Sequence, residues 1–563
     1  MTSNSKSSSS QQTIRIIPLG GLGEVGMNCM VVEHGDEAVL IDCGITFPDG
    51  DGYGVDIILP AWQYVIDNVE RFSAILLTHG HEDHLGALPF LLKEVDIPVF
   101  GPPLALGLLK HKLREHGLLN DCELVEVRAG ERIELDTMEV EFVHVNHSIP
   151  DATSVVLHTD LGAVVHTGDW RIDHTPIRGQ RMDLPRFGAL GQEGVVCMLG
   201  DSTNVESKGT PTSEMDVVRA LEAALRPLKG RAVVTQFSSN VYRLQALMDI
   251  AHRIGRKVFV LGRSLQNMVR IASDLGLLVA PDSNLVLDIT EARHYKRHEI
   301  LVVCTGSQGE PRSALTRVAY ADHRLLSLEA GDTVLFSARI VPGNEMAVSR
   351  VQNALWASGV EVINPSDAPI HTTGHAYRDD IELLMDLVQP RNLIPVHGEL
   401  RMLVKHARLA GQHGFTPHLL QNGETLEITG TNIDDATVRR GELVDTGRVM
   451  VDGTGVGDVS DIVLRDRRQI AQAGMIIVFL VLEAKTGKVV SGPDLVQHGV
   501  FDDRDPEIAA AVRKFALEKL GELSRSSMRD DHEVAETLRL AVRRWFRKEF
   551  DRKPVVIPIV REL

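Results

Sequence analysis

Thr78-His79-Gly80-His81-Glu82-Asp83-His84 decides how this chain is read. His79, His81, Asp83 and His84 are all side chains that bind divalent metals. The apolar run before them, Ala74-Ile75-Leu76-Leu77, has the character of a buried strand. After them Leu88, Leu91, Leu92 and Val95 recur at helical spacing, which predicts a helix over Leu85 to Val95. The four ligand types then sit on the loop at the carboxyl end of a strand, where open α/β sheets place their sites. His79 and His81 project together, and Asp83 and His84 lie one step further round the loop. Such an arrangement suits two metals side by side better than one. A solvated His-rich turn would have no reason to follow a buried strand.

The same grammar, apolar strand then His or Asp, recurs along the chain. Asp42 follows Ala38-Val39-Leu40-Ile41, and His147 follows the segment Val140 to Asn146. Asp169 closes Ala163-Val164-Val165-His166-Thr167-Gly168, and His397 follows Leu393-Ile394-Pro395-Val396. Taken singly, a His or Asp at a strand end is more often structural. The repetition is what points to one assembled centre.

Between Asp169 and His397 the chain is far too long for a loop. Asp201 ends Leu199-Gly200, and further strand-then-polar-turn units lie at Val233 to Asn240, Val258 to Ser264 and Leu301 to Glu310. Helical patterns at Val217 to Leu228 and Tyr242 to Gly255 separate them. This alternation predicts a parallel sheet with covering helices, an inserted α/β domain. The chain returns through His371-Thr372-Thr373-Gly374-His375.

The His-x-His-x-Asp-His loop after a strand resembles the metallo-β-lactamase superfamily, and the insertion is similar to that of its β-CASP nucleic-acid-processing members. Further stretches, Gly20 to Gly26, Cys304 to Pro311 and Ser460 to Arg468, look like the bacterial ribonucleases of the β-CASP family. The likeness runs from about Ile14 to the C-terminus. It implies an α/β protein: a metallo-β-lactamase αββα sandwich with an inserted β-CASP α/β domain and a small C-terminal α/β domain. It also implies that His79, His81 and His147 hold one metal and Asp83, His84 and His397 the other. Asp169 would bridge them, and Asp42 would orient the site from behind. Zinc suits these ligands and manganese is compatible with them. Two such ions acidify water and clamp the attacking and leaving oxygens of a phosphodiester. The implied activity is 5′-to-3′ exonucleolytic and endonucleolytic hydrolysis of single-stranded RNA, in RNA maturation and decay. Asp201 and His375 would form the acid–base pair, since a carboxylate beside an imidazole fixes its tautomer and favours its protonated form.

A preference for a 5′-monophosphate end requires a phosphate pocket. Ser239, Asn240 and Val241 on one turn, and His371, Thr372, Thr373, Gly374 and His375 on another, offer hydroxyls and backbone N–H groups for it. The competing reading is that Ser238-Ser239-Asn240 merely caps the helix that follows. Gly21-Leu22-Gly23-Glu24-Val25-Gly26 fits a dinucleotide fingerprint but runs into strand-like Met30-Val31-Val32, so a glycine loop at the edge of the site is expected instead. The turn Pro48 to Gly54, with Gly52 and Gly54 beside Asp452, could hold a structural calcium ion, although a solvated turn is the favoured account of it.

Composition agrees with these expectations. The 563 residues are 43% hydrophobic, enough for several cores. No apolar run approaches the roughly 18–20 residues that span a membrane. Five scattered cysteines without a CxxC pair predict reduced thiols and a cytoplasmic enzyme. The net charge of −18 leaves room only for a local basic channel, with Arg263, Arg312, Arg317 and Arg339 as candidates. The expected organisation is a tail at 1–12, a catalytic domain at 13–212 and 364–447, the insertion at 213–363, a linker at 448–465 and a C-terminal domain at 466–563. The resemblance implies that this last domain supports a homodimer or homotetramer, and that other RNA-decay proteins are partners. Two other readings share the same motifs: a β-CASP nuclease acting on DNA, and a small-molecule thioester or amide hydrolase. The long insertion with Asp201 and His375 disfavours the second.

Overall fold

A computed structural model describes residues 11–48, 52–453, 455–457, 460–501 and 506–563. Most of the Ser-rich head, the turn residues 49–51 and connector residue 454 lie outside the described residues. The first strand, β1 (Gln12–Gly20), opens one residue before the expected start.

Two sheets build the catalytic body. The first, of eight strands, runs Thr437–Leu443, Glu424–Gly430, β1, Cys29–His34, Glu37–Ile41, Phe72–Leu76, Val99–Gly101, Leu124–Glu126. The second, of seven, runs Thr416–Pro417, Asn392–Val396, Val195–Asp201, Gly162–His166, Thr153–Thr159, Glu139–His144, Arg132–Glu134. They pack face to face: Ile14, Ile16, Val39, Ile41 and Leu76 of the first meet Phe142, Val155, Val164, Leu199 and Ile394 of the second in one core. Helices Leu184–Glu193, Arg378–Val388 and Leu400–Gln412 cover the outer face of the second sheet. This is the expected αββα sandwich.

Strands Val195–Asp201 and Asn392–Val396 pair in parallel, with Asp201 opposite Val396. Everything between them leaves and returns at neighbouring strands. The excursion holds a six-stranded sheet, parallel throughout, in the order Val286–Leu287, Lys257–Leu261, Ile300–Cys304, Ala232–Thr235, Thr333–Phe336, Glu361–Ile363. Its strands are buried on both faces, under helices such as Glu214–Leu225 and Val241–Ile254 on one side and Glu345–Ala357 on the other.

The single helix expected over Leu85 to Val95 is instead two short ones, Glu82–Leu85 and Leu88–Leu91. Pro89 cannot donate to the turn before it and starts the second helix afresh. Asp83 and His84 are therefore on a helical turn that begins directly after His81.

A second compact unit includes Met450–Leu563. Met475–Leu482 pairs antiparallel with Val489–His498 and parallel with Val555–Glu562. Helices Pro506–Gly521 and Asp531–Phe550 cover one face, through Val512, Ala516, Leu538 and Val542 on Ile476, Val478 and Leu480. The expected linker residues 461–465 lie in a helix, Asp461–Ala473, because the Ser460 side chain accepts from the Val463 N–H and caps it.

Glu141 ties a helix to the sandwich. It accepts from Arg186 Nε at 2.7 Å and from His158 Nε2 at 2.8 Å. Burial works against its ionisation, but the His158 and Arg186 hydrogen bonds and the Arg186 and Arg132 charges outweigh it and hold the carboxyl at about 2. Its contribution is complete above pH 4.5, its unfolded value, and is lost as pH falls through about 2. Glu141→Gln should cost about 1–3 kcal/mol at neutral pH. Thermal melts of the variant should also lose that share of the acid dependence.

Candidate metal centre

The centre is assembled largely from strand ends, and His79, His81, His84 and His147 each meet a polar group behind the ring. Asp42 leaves strand Glu37–Ile41 with φ 59° and turns into the loop after the neighbouring parallel strand Phe72–Leu76. Its carboxylate accepts from Thr78 N at 2.8 Å, Thr78 Oγ1 at 2.7 Å and His84 Nδ1 at 2.7 Å. His84 thus keeps a lone pair on Nε2. Thr78 has given its proton to Asp42, so it accepts from His79 Nδ1 at 3.0 Å and leaves His79 Nε2 free. His147 Nδ1 donates to the Gly374 carbonyl at 2.7 Å, and His81 Nε2 meets Ser239 Oγ at 3.0 Å.

The free nitrogens then converge. His81 Nδ1 lies 2.9 Å from His79 Nε2 and 3.1 Å from His147 Nε2. Lone pairs at such distances repel unless a cation lies among them. His397 Nε2 lies 3.2 Å from Asp169 Oδ1 and 3.6 Å from Asp83 Oδ2, and His84 Nε2 lies 3.3 Å from Asp169 Oδ2. Asp169 Oδ2 is also 3.7 Å from His79 Nε2 and 3.6 Å from His147 Nε2, so one carboxylate spans both groups. Asp169 Oδ1 is buried without a hydrogen-bond partner, a state that a metal ligand explains. His79, His81, His147 and Asp169 form one set able to hold an ion, and Asp83, His84, Asp169 and His397 another.

The electrostatics divide along the same line. Burial, with neighbouring imidazoles, holds His79 and His147 well below the ordinary histidine range, and His81 at about 4. Burial also acts against the charged forms of His84 and His397, but Asp169 and the other carboxylates outweigh it and raise both. Asp169 is held down by His397, His84 and His375 against the effect of its burial.

Asp201, 2% exposed, ends its strand beside this centre. Its Oδ1 accepts from Thr203 and its Oδ2 from His375 Nδ1 at 2.8 Å. His375 Nε2 is 3.9 Å from Asp169 Oδ2. Burial opposes protonation of His375, yet Asp201 and Asp169 raise it to about 9.

The expected phosphate-binding residues divide into two kinds. Ser239, His371, Thr373 and His375 are only partly buried. Asn240 instead caps helix Val241–Ile254 by accepting from Arg243 N, and the N–H groups of Asn240 and Val241 bond to the Phe237 and Ser239 carbonyls. Thr372 donates to the Thr212 carbonyl, and Gly374 passes so close to His147 that a Cβ would lie 2.7 Å from its ring. The capping reading therefore holds for Asn240, while Ser239 faces a metal-type ligand. The glycine loop does lie at the edge of the site: Leu22–Gly23 pairs with Gly398–Glu399, next to His397.

The calcium turn fares differently. The Gly52 carbonyl is taken by Val55 N, and Arg467 donates to the Tyr53 carbonyl at 3.0 Å and to Asp452 Oδ2 at 2.6 Å. A Cβ on Gly54 would lie 2.8 Å from the same guanidinium. The protein's own guanidinium thus takes one Asp452 oxygen and the Tyr53 carbonyl of this turn. Of the channel candidates, Arg339 bonds Asn204 beside the site and Arg317 pairs locally with Asp322. Arg263 and Arg312 are exposed. Sequence reasoning did not single out Thr78, Arg171 or Arg243. For Arg243 a signal existed, its place three residues after a helix cap.

The chain matches family models described as the metallo-beta-lactamase superfamily over residues 22–191, the ribonuclease J beta-CASP domain over 229–355, a Zn-dependent metallo-hydrolase RNA specificity domain over 368–420 and the ribonuclease J C-terminal domain over 462–563. It is 38% identical to ribonuclease J of Mycobacterium tuberculosis, over 98% of this chain and 97% of that protein. It is 35% identical to ribonuclease J 1 of Streptococcus pyogenes, over 97% of each. The chain belongs to the ribonuclease J family. As a member it is a metal-dependent ribonuclease, a metallo-hydrolase that binds RNA. A solved protein of unknown function from Enterococcus faecalis V583 shares the fold, with a TM-score of 0.52 at 15% identity over 74% of this chain and 99% of that one.

Because Asp42 holds the His84 Nδ1 proton at 2.7 Å, Asp42→Ala should weaken metal binding about 10–100-fold. Titration against a chelator would measure it.

Proposed function

We propose that this ribonuclease removes nucleotides 5′-to-3′ from single-stranded RNA bearing a 5′-monophosphate, and also cuts internally, with two divalent ions at one centre. The observation that carries this reading is Asp169, whose carboxylate lies between two separate ligand sets. His79, His81 and His147 would hold one ion, Asp83, His84 and His397 the other, with Asp169 shared. Three imidazoles on one side and a carboxylate-rich set on the other suit zinc, and manganese is compatible. The ions, when bound, supply Lewis-acid stabilisation of the phosphodiester and acidify water.

His375 and Asp201 act on the leaving group. Fixed by Asp201 at Nδ1, His375 presents Nε2 toward the centre, where in its protonated form it can donate to the departing 3′-oxygen. Ser239, His371 and Thr373 offer the polar atoms for the terminal and adjacent phosphates, while Asn240, Val241, Thr372 and Gly374 hold the two turns in place. Five free thiols accord with a cytoplasmic enzyme. Among the described residues no helix is long and apolar enough to cross a membrane.

The second unit supports a homodimer or homotetramer. Phe479, Val496 and Ile557 are exposed on the face of its sheet opposite the helices. Removing residues from Val451 onward should leave a monomer where the full chain is oligomeric, as read by sedimentation.

Digestion of a 5′-labelled RNA and its DNA counterpart, with monophosphate, triphosphate or hydroxyl ends, tests the reaction. Labelled mononucleotide should appear from the monophosphorylated RNA and vanish in Asp83→Ala/His84→Ala. His375→Ala should slow the reaction about 10²–10⁴-fold with metal content unchanged. Equal cutting of DNA would overturn the substrate assignment.

A further inference from the structure

The insertion buries an arginine that no step of the reaction uses directly. Arg243, 1% exposed, lies in the first turn of helix Val241–Ile254. Its Nη2 donates to Glu214 Oε1 at 2.6 Å, its Nε to Glu214 Oε2 at 3.3 Å and its Nη1 to the Ser337 carbonyl at 2.9 Å. Nη1 also lies 2.9 Å from His371 Nδ1. A guanidinium has no acceptor, so His371 Nδ1 must accept and the ring proton must sit on Nε2.

The surroundings leave the pair little freedom. Asn240 caps the helix through the Arg243 N–H. Ser337 Oγ donates to the Ile370 carbonyl at 2.6 Å and fixes the backbone that enters His371. Thr372, just after it, donates to the Thr212 carbonyl, which Arg171 Nη1 also reaches at 3.0 Å. Arg171 in turn pairs with Asp173, which accepts from Glu214 N. The charged groups round His371 are thus Arg243 from its helix, Arg171 from the catalytic domain and Arg339 from the loop after strand Thr333–Phe336, with Glu214 and Asp173 behind the arginines.

We propose that Arg243 is a positioning residue for 5′-end recognition: it fixes His371 as a neutral Nε2–H donor toward the terminal phosphate and sets a buried positive charge behind it. The inference rests on the reading that His371 meets that phosphate. Burial and the three arginines hold the His371 ring well below the ordinary histidine range, against the Ser337 carbonyl, which agrees with a ring that stays neutral. One helix start then does two jobs, with Ser239 on His81 and Arg243 on His371. A terminal phosphate recognised there is referred directly to the metal-binding loop.

The test uses the full-length, metal-loaded protein and one single-stranded RNA with a 5′-monophosphate or a 5′-hydroxyl end. kcat and KM are measured at about pH 6, 7 and 8, across the ordinary histidine titration, alongside Tm and metal content. Glu214→Gln/Arg243→Gln removes the cation without leaving a buried lone charge. It should raise KM for the monophosphate end by at least about tenfold at the highest pH. Its end preference should recover toward the lowest pH, as the released ring gains a proton. The parent should show no such rise, because the phosphate itself loses charge near pH 6. Arg243→Lys, still a donor-only cation, should lose less and keep the parent's profile.

His371→Gln separates the two ideas. If it keeps the monophosphate preference, the reading beneath the inference fails. If it loses the preference while the folded double variant keeps the parent's preference and profile, the role of Arg243 is overturned. Equal losses at every pH in the double variant and in Arg243→Lys would overturn it too, since packing alone would give that result. Should the double variant not fold, Arg243→Lys is set against His371→Gln: a rise in KM for the monophosphate end smaller than that of His371→Gln, with the parent's profile, supports the role, and a loss as large at every pH refutes it.

Discussion

Imidazole nitrogens and carboxylate oxygens crowd into one small volume here, and only positive charge makes that arrangement tolerable. His79 Nε2, His81 Nδ1 and His147 Nε2 face one another at about hydrogen-bond distance, with at most one proton among them when the rings are neutral. The protein enforces this from behind, through Thr78, Ser239 and the Gly374 carbonyl, and it treats His84 the same way through Asp42. Each partner takes or fixes the proton on the outer nitrogen and so aims the inner lone pair. The sandwich supplies much of the rigidity, since Asp42, Thr78, His79, His81 and His147 sit just beyond the ends of its buried strands.

The second constraint is topological. Val195–Asp201 and Asn392–Val396 are neighbours in one parallel sheet although an entire six-stranded domain separates them in sequence. Asp201 and His397 are therefore brought to the same edge whatever the insertion contains. The insertion reaches back to the centre at the start of helix Val241–Ile254, where Ser239 touches His81. Its return segment supplies His375 to Asp201 and the Gly374 carbonyl to His147. The ligand cluster and the insertion are thus joined by hydrogen bonds rather than by a shared element.

Much of this was legible beforehand. The strands before Asp42, His79, Asp169 and His397 stood out as apolar runs, and the alternation of strands and helices between Asp201 and His371 announced a parallel sheet. The misreadings have local causes. Leu88, Leu91, Leu92 and Val95 keep helical spacing across Gly86 and Pro89, so periodicity suggested one helix where the backbone makes two. The turn before Val55 was expected to hold an ion together with Asp452, but Arg467, distant in sequence from that turn, bonds the Tyr53 carbonyl and Asp452 Oδ2. Asn240 looked like either a cap or a phosphate ligand, and only the direction of its side chain chose between them.

By itself the sequence determined the chemical character of the protein: which residues can bind metal, that they follow buried strands, and that an α/β domain interrupts the catalytic one. These are properties of short segments, set by side-chain chemistry and by the period of burial. The tertiary structure alone decided which nitrogen of each histidine faces inward, that Asp169 spans both ligand sets, and that Arg243 lies behind His371. The reason is physical: a tautomer is set by a partner contributed across the fold, and no local pattern encodes which partner arrives.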